Sequence, residues 1–298
     1  EEVPVIMGAW GSSATLAVMP VMARHGVPLI VETSSSVKIT SADTPGFEWV
    51  HRISPTSEME AEAVKPYLAN ELTMKKVAIL SVNNDWGRSA GDAFREVIES
   101  QGGQIVFENY IDQSVTDVLP QLTEINSSEV DAIVMTTGAA QIATILKQYA
   151  ELGMSQLVLT TGGSNYPVAI MHLSSSEIVS GTYHLMFYVP AEHHLAGDPV
   201  LSEWYYNAYH DAGYPQVGLG ESYRGFDGVQ VIAKAIELND CSLDQAGLNQ
   251  ALTRVEFAGL SGHIKFDEAE GHQSRPNVYL VRVDDGTLTA VATSAPTL

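Results

Sequence analysis

The sequence predicts an α/β protein whose strands lie in mostly parallel sheets covered by helices on both faces. Two patterns carry this reading. Short continuous apolar runs alternate with amphipathic runs through most of the chain, and glycine closes several of the amphipathic ones. Length adds a third observation. At 298 residues the chain corresponds to about two domains, and its 45% hydrophobic content supplies material for packed cores.

The elements follow in order. VPVIMG (3–8) reads as a strand, and SATLAVMPVMARHG (13–26) as a helix stopped at Gly26. VPLIVET (27–33) is a second strand. SPTSEMEAEAVKPYLANEL (54–72) reads as one helix, because a capping signal precedes an acidic first turn. KKVAILSVNN (75–84) is a strand, and GRSAGDAFREVIESQGG (87–103) a helix ended by Gly-Gly. QIVFENYI (104–111) and VDAIVMTTG (130–138) are strands around the helix VLPQLTEINSSE (118–129). AAQIATILKQYAELGM (139–154) is a helix and QLVLTTGG (156–163) a strand. The last third changes character. GTYHLMFYVP (181–190) is a long strand, AGDPVLSEWYYNAYHDAG (196–213) an aromatic-rich helix and SYRGFDGVQVIAKAIELND (222–240) another helix. Residues 257–286 read as two strands joined by a polar turn, an antiparallel ending.

Composition excludes several functions. Acidic residues outnumber basic ones 36 to 15, a net charge of -21, and no basic run exists to neutralise phosphates. Nucleic acid and anionic membranes are therefore not expected partners, and the balance fits a soluble, self-repelling chain. The single cysteine, Cys241, allows no internal disulfide and no CxxC motif. No apolar run is long enough to span a membrane. No GxGxxG or Walker loop follows a strand, so no cofactor is expected.

Five stretches, in this order, resemble one family: GAWGSSAT with PVMARHGVPLIVETSSSVKIT, WVHRISPTSEMEAEAVKPYL, KKVAILSVNNDWGRSAGDAFREVIESQGGQIV, VDAIVMTTGAAQIATILKQYAELGM and FAGLSGHIKFDEAEGH. Each is weak alone; their order and spacing together resemble the type I periplasmic substrate-binding proteins of branched-chain amino acid ABC transporters. The resemblance implies a two-lobed, Venus flytrap fold, each lobe a mostly parallel sheet with helices on both faces. It places crossings between lobes near 54–56, 188–191 and 272–277. Lobe one then holds 1–55 and 189–274, and lobe two 56–188 and 275–298. It also implies a strand–helix–strand unit ahead of Glu1, a periplasmic location (or secretion with a removed anchoring segment), a monomer, and delivery of a small amino acid, amide or carboxylate to an ABC permease.

Candidate site residues sit at strand ends. Ser12 and Ser13, in the run Gly-Ser-Ser-Ala-Thr after Trp10, can cap a helix or hold a carboxylate at its N-terminus. The resemblance favours the carboxylate, with Trp10 beside it. Thr33 and Ser35 are a polar loop by themselves; the resemblance gives them contacts to the same charged end. Trp86 reads as a loop tryptophan, which the resemblance places across the cleft against the ligand. Asp85 is either a helix cap or a partner for a cation. The resemblance implies an aromatic and an acidic residue at the next two strand ends, the acid pairing with an α-ammonium. This sequence has Gly138 at the first and Thr161 or Gly162 at the second. The ammonium partner is thus missing from its usual place. The small residues, Gly163 among them, leave room for a bulky ligand. Glu221 is a candidate replacement charge, with Tyr223, Arg224 and Phe226 on the same approach.

Three rival readings stand beside this one. GRSAG (87–91) matches a hydrolase elbow with Ser89 as nucleophile, but NNDW separates it from the strand. His193, His194 and Asp198 suggest a metal, without a repeated ligand spacing; a solvated connection explains them as well. The same fold also serves ligand-sensing modules, which sequence does not separate from transport.

Overall fold

The computed structural model describes residues 3–68, 72, 74–162, 166–267 and 272–294. Two sheets, one parallel and one mostly parallel, organise them. A three-stranded sheet has the order β1 (Ile6–Met7), β2 (Leu29–Val31), β3 (Val50–Arg52). Helix α1 (Ser12–His25) connects β1 to β2 and ends as expected at Gly26, whose φ of 64° is the left-handed conformation that glycine adopts freely. β1 lies at the sheet edge, where Ile6 and Met7 are each 37% exposed.

The larger sheet is built from β4 (Lys76–Val82), β5 (Gln104–Ile111), β6 (Ala132–Thr136), β7 (Leu157–Thr160), β8 (Tyr183–Met186), β11 (Val278–Asp284) and β12 (Thr287–Ser294). Its order is β12-β11-β8-β7-β6-β4-β5; β4 to β8 run parallel, and β11 runs antiparallel to both β8 and β12. Around it pack α2 (Ser57–Val64), α3 (Asp85–Ser100), α4 (Leu119–Ser127), α5 (Ala139–Glu151), α6 (Pro167–Leu173) and α7 (Ser176–Val179). Then α8 (Pro199–Asp211) and the first half of α9 (Gln216–Leu238) pack into the large-sheet core, and the second half of α9, α10 (Gln245–Leu252) and the hairpin β9 (Glu256–Ala258)–β10 (His263–Lys265) return to the small sheet. There Ile30 and Ile53 share a core with Val231, Leu248 and Ile264.

Several expectations need correction. The helix over 54–72 is shorter: Thr56 caps it, α2 ends at Val64, and a single 3-10 turn spans Lys65–Tyr67. Pro66 has no N–H to continue the ladder. Helices α6, α7 and α10 and strand β3 have no counterpart in the sequence reading, and α9 begins at Gln216 rather than near 222. β3 escaped because it carries His51 and Arg52, charged or polar residues that argue against a buried strand; both are fully buried. The antiparallel ending is present, but its two strands do not pair with each other. β10 pairs with β9, and β11 with β8 and β12. The polar stretch between them instead carries the chain from one sheet to the other.

Two buried histidines set an acid limit. Thr160 and Thr182 hold the two ring nitrogens of His184, each at 2.7 Å, and burial lowers its pKa to about 3. Burial likewise lowers His51 to about 3; its Nε2 meets Asn249 Oδ1 at 2.8 Å and its ring stacks on His272. A histidine whose folded pKa is depressed contributes stability above its unfolded value. That contribution is lost as pH falls from about 6.5 toward 3. Urea unfolding at a series of pH values will show His184→Gln losing less stability than wild type over this window, by up to about 3 kcal/mol at pH 4.5.

Candidate functional site

The carboxyl ends of the parallel strands in both sheets open on one cleft of about 710 Å³. From the small sheet come Trp10, Ser12 and Ser13 after β1, and Thr33 to Ser35 after β2. From the large sheet come Asn84 and Trp86 after β4, Gln113 and Ser114 after β5, and Thr137 and Gly138 after β6. None of the described residues lining this cleft carries a formal charge.

Local geometry explains how each arrives there. Ser12 is the first residue of α1, not its cap; the cap position is Gly11, which has no side chain to offer. Ser12 Oγ accepts the Ser36 N–H at 3.2 Å, which leaves its own proton to donate. Ser34, which the sequence reading passed over, bonds Thr15 Oγ1 at 2.8 Å and donates to the Ala9 carbonyl at 2.9 Å, tying the two loops together. Trp10 stands at the rim, 58% exposed. Trp86 is not in a loop: it occupies the first turn of α3 and is half-buried, with Nε1 enclosed and unpartnered.

Asn84, not Asp85, caps α3, accepting Gly87 N–H at 2.9 Å. Asp85 closes the mouth of the cleft instead. Ser13 Oγ donates to Asp85 Oδ2 at 2.7 Å and Lys38 Nζ meets Oδ1 at 3.2 Å, so two residues beside the small sheet bind one beside the large sheet. The Ser13 hydroxyl, then Lys38, hold the Asp85 carboxyl below its usual range. Val37 N–H donates to Ser89 Oγ across the same gap at 3.2 Å. Ser89 is therefore a helical residue on an interface. β4 ends at Val82, too far ahead of Ser89 for a strand-to-helix nucleophile elbow. Asp198 caps α8 by accepting from Val200 and Leu201 N–H, and His193 faces Ser202, so neither is free to build a metal centre with His194.

Sequence gave no signal for Gln113 and Ser114, because another element places them. The Gln141 amide donates to the carbonyls of Asp112 and Val115, at 3.0 and 2.9 Å, and Thr137 donates to its Oε1. That tertiary bond folds the loop after β5 over the cleft.

Gly162 and Glu221 are not among the described residues that line this cleft. A Cβ on Gly162 would lie 2.0 Å from the Phe187 ring, so this glycine permits close packing rather than ligand space. Its N–H donates to Glu60 Oε2 at 2.7 Å. Gly163 lies outside the described residues. Glu221 is spent on Arg224, whose Nε donates to it at 2.8 Å behind the cleft wall; Tyr223 and Phe226 are in mid-helix beside it. Arg224 also lies over the Phe187 and Tyr223 rings and reaches the Glu32 carbonyl, so it does not offer a free fork to a ligand. Glu32, Glu60 and Glu221 all have raised pKa values, burial being the first cause in each, with Arg224 opposing.

The residues of this wall hang on a further one, Arg52, which is fully buried in β3. It donates to the carbonyls of Ser34 and Ser36 at 3.3 and 2.7 Å, to Thr40 Oγ1 and to Gln273 Oε1.

The model of the periplasmic binding protein family matches residues 1–287. The chain belongs to that family. Among curated relatives of this periplasmic binding protein, the Leu/Ile/Val-binding protein homolog 6 of Brucella melitensis is 23% identical, over 96% of this chain and 72% of its own length. Homolog 3 of the same organism is 23% identical over 52% of this chain and 41% of its own. The chain thus matches less than half the length of some curated relatives and most of others. Among solved structures, a leucine-binding protein from Thermotoga maritima superposes with a TM-score of 0.86 at 23% identity, covering 99% of this chain and 80% of the other. An ABC-transporter solute-binding protein from R. palustris, in complex with benzoate, gives 0.85 at 19% identity, covering 99% and 79%. The fold is the type I periplasmic binding fold.

Two outcomes follow from this geometry. Gly162→Ala will lower the thermal midpoint strongly, by an overpacking cost of about 1–3 kcal/mol, whereas Gly138→Ala, whose Cβ meets nothing within 4 Å, will fold normally. Burial pushes the Glu60 carboxyl up to about 7. The folded state therefore holds its proton more tightly, and the associated stability is full below about 4.5 and lost as pH rises through about 7. Glu60→Gln will gain stability relative to wild type across that window, as read by melting curves from pH 4 to 8.

Proposed function

We propose that this periplasmic binding protein captures a small solute in the cleft between its two sheets and delivers it to an ABC permease. One observation carries the reading: strand ends from both sheets present hydroxyls, amides and helix N-termini to a single uncharged cleft, and hydrogen bonds already span its mouth. In this proposal the cleft binds by wrapping a ligand, and no bond is made or broken. The names of its relatives support the same reading, since the solved neighbours include complexes with isoleucine, benzoate and 4-hydroxybenzoate.

In this proposal lobe one is residues 1–55 and 189–274, and lobe two is 56–188 and 275–298. The three connections between the sheets act as the hinge. Ser12, Thr33 and Ser35 hold the polar head of the solute on lobe one, and Ser13, beside them, spends its hydroxyl on Asp85 across the mouth. Trp86 and the Gly138 turn close on it from lobe two, with Trp10 at the rim. Ligand contacts to both lobes favour the closed population, and the Ser13–Asp85–Lys38 and Val37–Ser89 contacts form with closure. An extracytoplasmic location follows from the role.

Titration calorimetry and thermal shift over amino acids, amides and short carboxylates will give a saturable ligand that raises the melting temperature. Ser12→Ala and Trp86→Ala will each weaken it about tenfold while the apo protein still melts cooperatively, since one hydrogen bond lost to the ligand is worth roughly that factor. Unchanged affinity in both variants refutes the cleft assignment.

A further inference from the structure

Resting on the cleft reading above, we propose that the solute is an amine-free organic acid with hydrogen-bond acceptors at both ends. Its carboxylate sits at the first turn of α1, and its second acceptor, a carboxylate in the best case, at the first turn of α5.

Five of the described α-helices, α1, α4, α5, α6 and α9, have no side-chain cap, and two of these, α1 and α5, begin in the cleft lining. Both α1 and α5 have glycine at the cap position, Gly11 and Gly138, with no side-chain cap. Their hydrogen-bond ladders begin only at Thr15 N–H to Gly11 and Ile142 N–H to Gly138. The first-turn N–H groups ahead of these have no intrahelical acceptor and carry the positive end of the helix dipole. The contrast is α3, whose end is also at the cleft but is closed internally: Asn84 takes Gly87 N–H and Ser13 Oγ takes Asp85 N–H. The bare ends face the cleft from opposite sheets, α1 from the small and α5 from the large.

Side chains point the same way. Trp86 Nε1 is a donor only, and it is enclosed without a partner in the cleft wall. The Ser12 proton is free for donation, since its oxygen already accepts from Ser36. Gln141, the obvious lining amide, has both ends occupied by Asp112, Val115 and Thr137. Beside the Gln113 amide and the hydroxyls, which can donate or accept, the cleft thus offers the Ser12 hydroxyl and the first-turn backbone N–H groups as donors.

An ammonium has no counter-charge here. No described lining residue is acidic. The nearby carboxylates Glu32, Glu60 and Glu221 do not line the cleft and share Arg224, and Asp85 is engaged by Ser13 and Lys38. A zwitterionic amino acid would leave its cation between two positive helix ends. A monoacid would leave the α5 end facing an apolar tail. A cleft of about 710 Å³ has the length for a two-ended solute.

Calorimetry with matched probes tests this: hexanedioate, hexanoate and 2-aminohexanoate, then terephthalate, benzoate and phenylalanine. The expected result is a diacid binding at least tenfold more tightly than its monoacid, and the monoacid more tightly than its amino acid. Gly138→Asp is the second arm. Its Cβ has open space and its φ is -71°, so the variant folds, and the new carboxylate caps α5. It will melt no lower than wild type yet bind the preferred diacid at least tenfold more weakly. Tighter binding of either amino acid overturns this inference and leaves the solute-binding reading intact. Equal affinity for monoacid and diacid, or a Gly138→Asp variant that binds normally, overturns the two-ended assignment. No binding by these probes or by the broader panel overturns both readings.

Discussion

The buried guanidinium of Arg52 is the constraint on which the cleft depends. Burial costs a charged group several kcal/mol unless its donors are met. Here they are met by neutral acceptors: two carbonyls of the loop after β2, a threonine further along it, and Gln273 on the last passage between the sheets. Burial lowers the Arg52 pKa to about 9, with the Glu58 charge opposing. The same five-donor fork therefore fixes the Ser34–Ser36 wall of the cleft and the strand of chain that links the two sheets. Site geometry and inter-sheet geometry are set by one residue.

A second constraint is where the acidic charge goes. The chain carries a net charge of -21, yet the described cleft lining is uncharged. Acidic groups near the cleft are neutralised in place. Asp85 is held by Ser13 and Lys38, and three glutamates share Arg224 with help from burial that favours their protonated forms. What remains facing the cleft is neutral: hydroxyls, amides, aromatic rings and the backbone's own polarity at helix N-termini. In a low-dielectric pocket such fixed dipoles count for more than exposed side-chain charges, which solvent screens.

Closure and binding draw on the same atoms. Ser13 belongs to the cleft lining and also donates across its mouth to Asp85; α3 begins at the cleft with Trp86 and, one turn on, meets Val37 through Ser89. Contacts with a solute and contacts between the sheets are thus neighbours on the same turns. A ligand that touches both sides changes the balance between open and closed forms only through its differential contacts with them.

The sequence by itself determined the alternation of strands and helices, because apolar periodicity, capping residues and glycine stops are local signals. QIVFENYI (104–111) coincides with β5 residue for residue, and α1 ends at Gly26 as read. It also located Ser12, Ser13, Thr33, Ser35, Trp86 and Gly138 at strand ends, where cleft residues of parallel sheets collect. Tertiary structure alone decided the rest. β3 is a strand because partners outside it satisfy His51 and Arg52, which no pattern within WVHRIS reveals. Gly162 and Glu221 lie outside the described cleft lining because Phe187 and Glu60, distant in the chain, pack on the first, and Arg224, one helical turn on, binds the second. Gln113 and Ser114 entered it because Gln141 pulls their loop inward. Local chemistry fixes which backbone conformations are cheap; which side chains meet a ligand depends on long-range hydrogen bonds and packing that form only when the sheets are assembled.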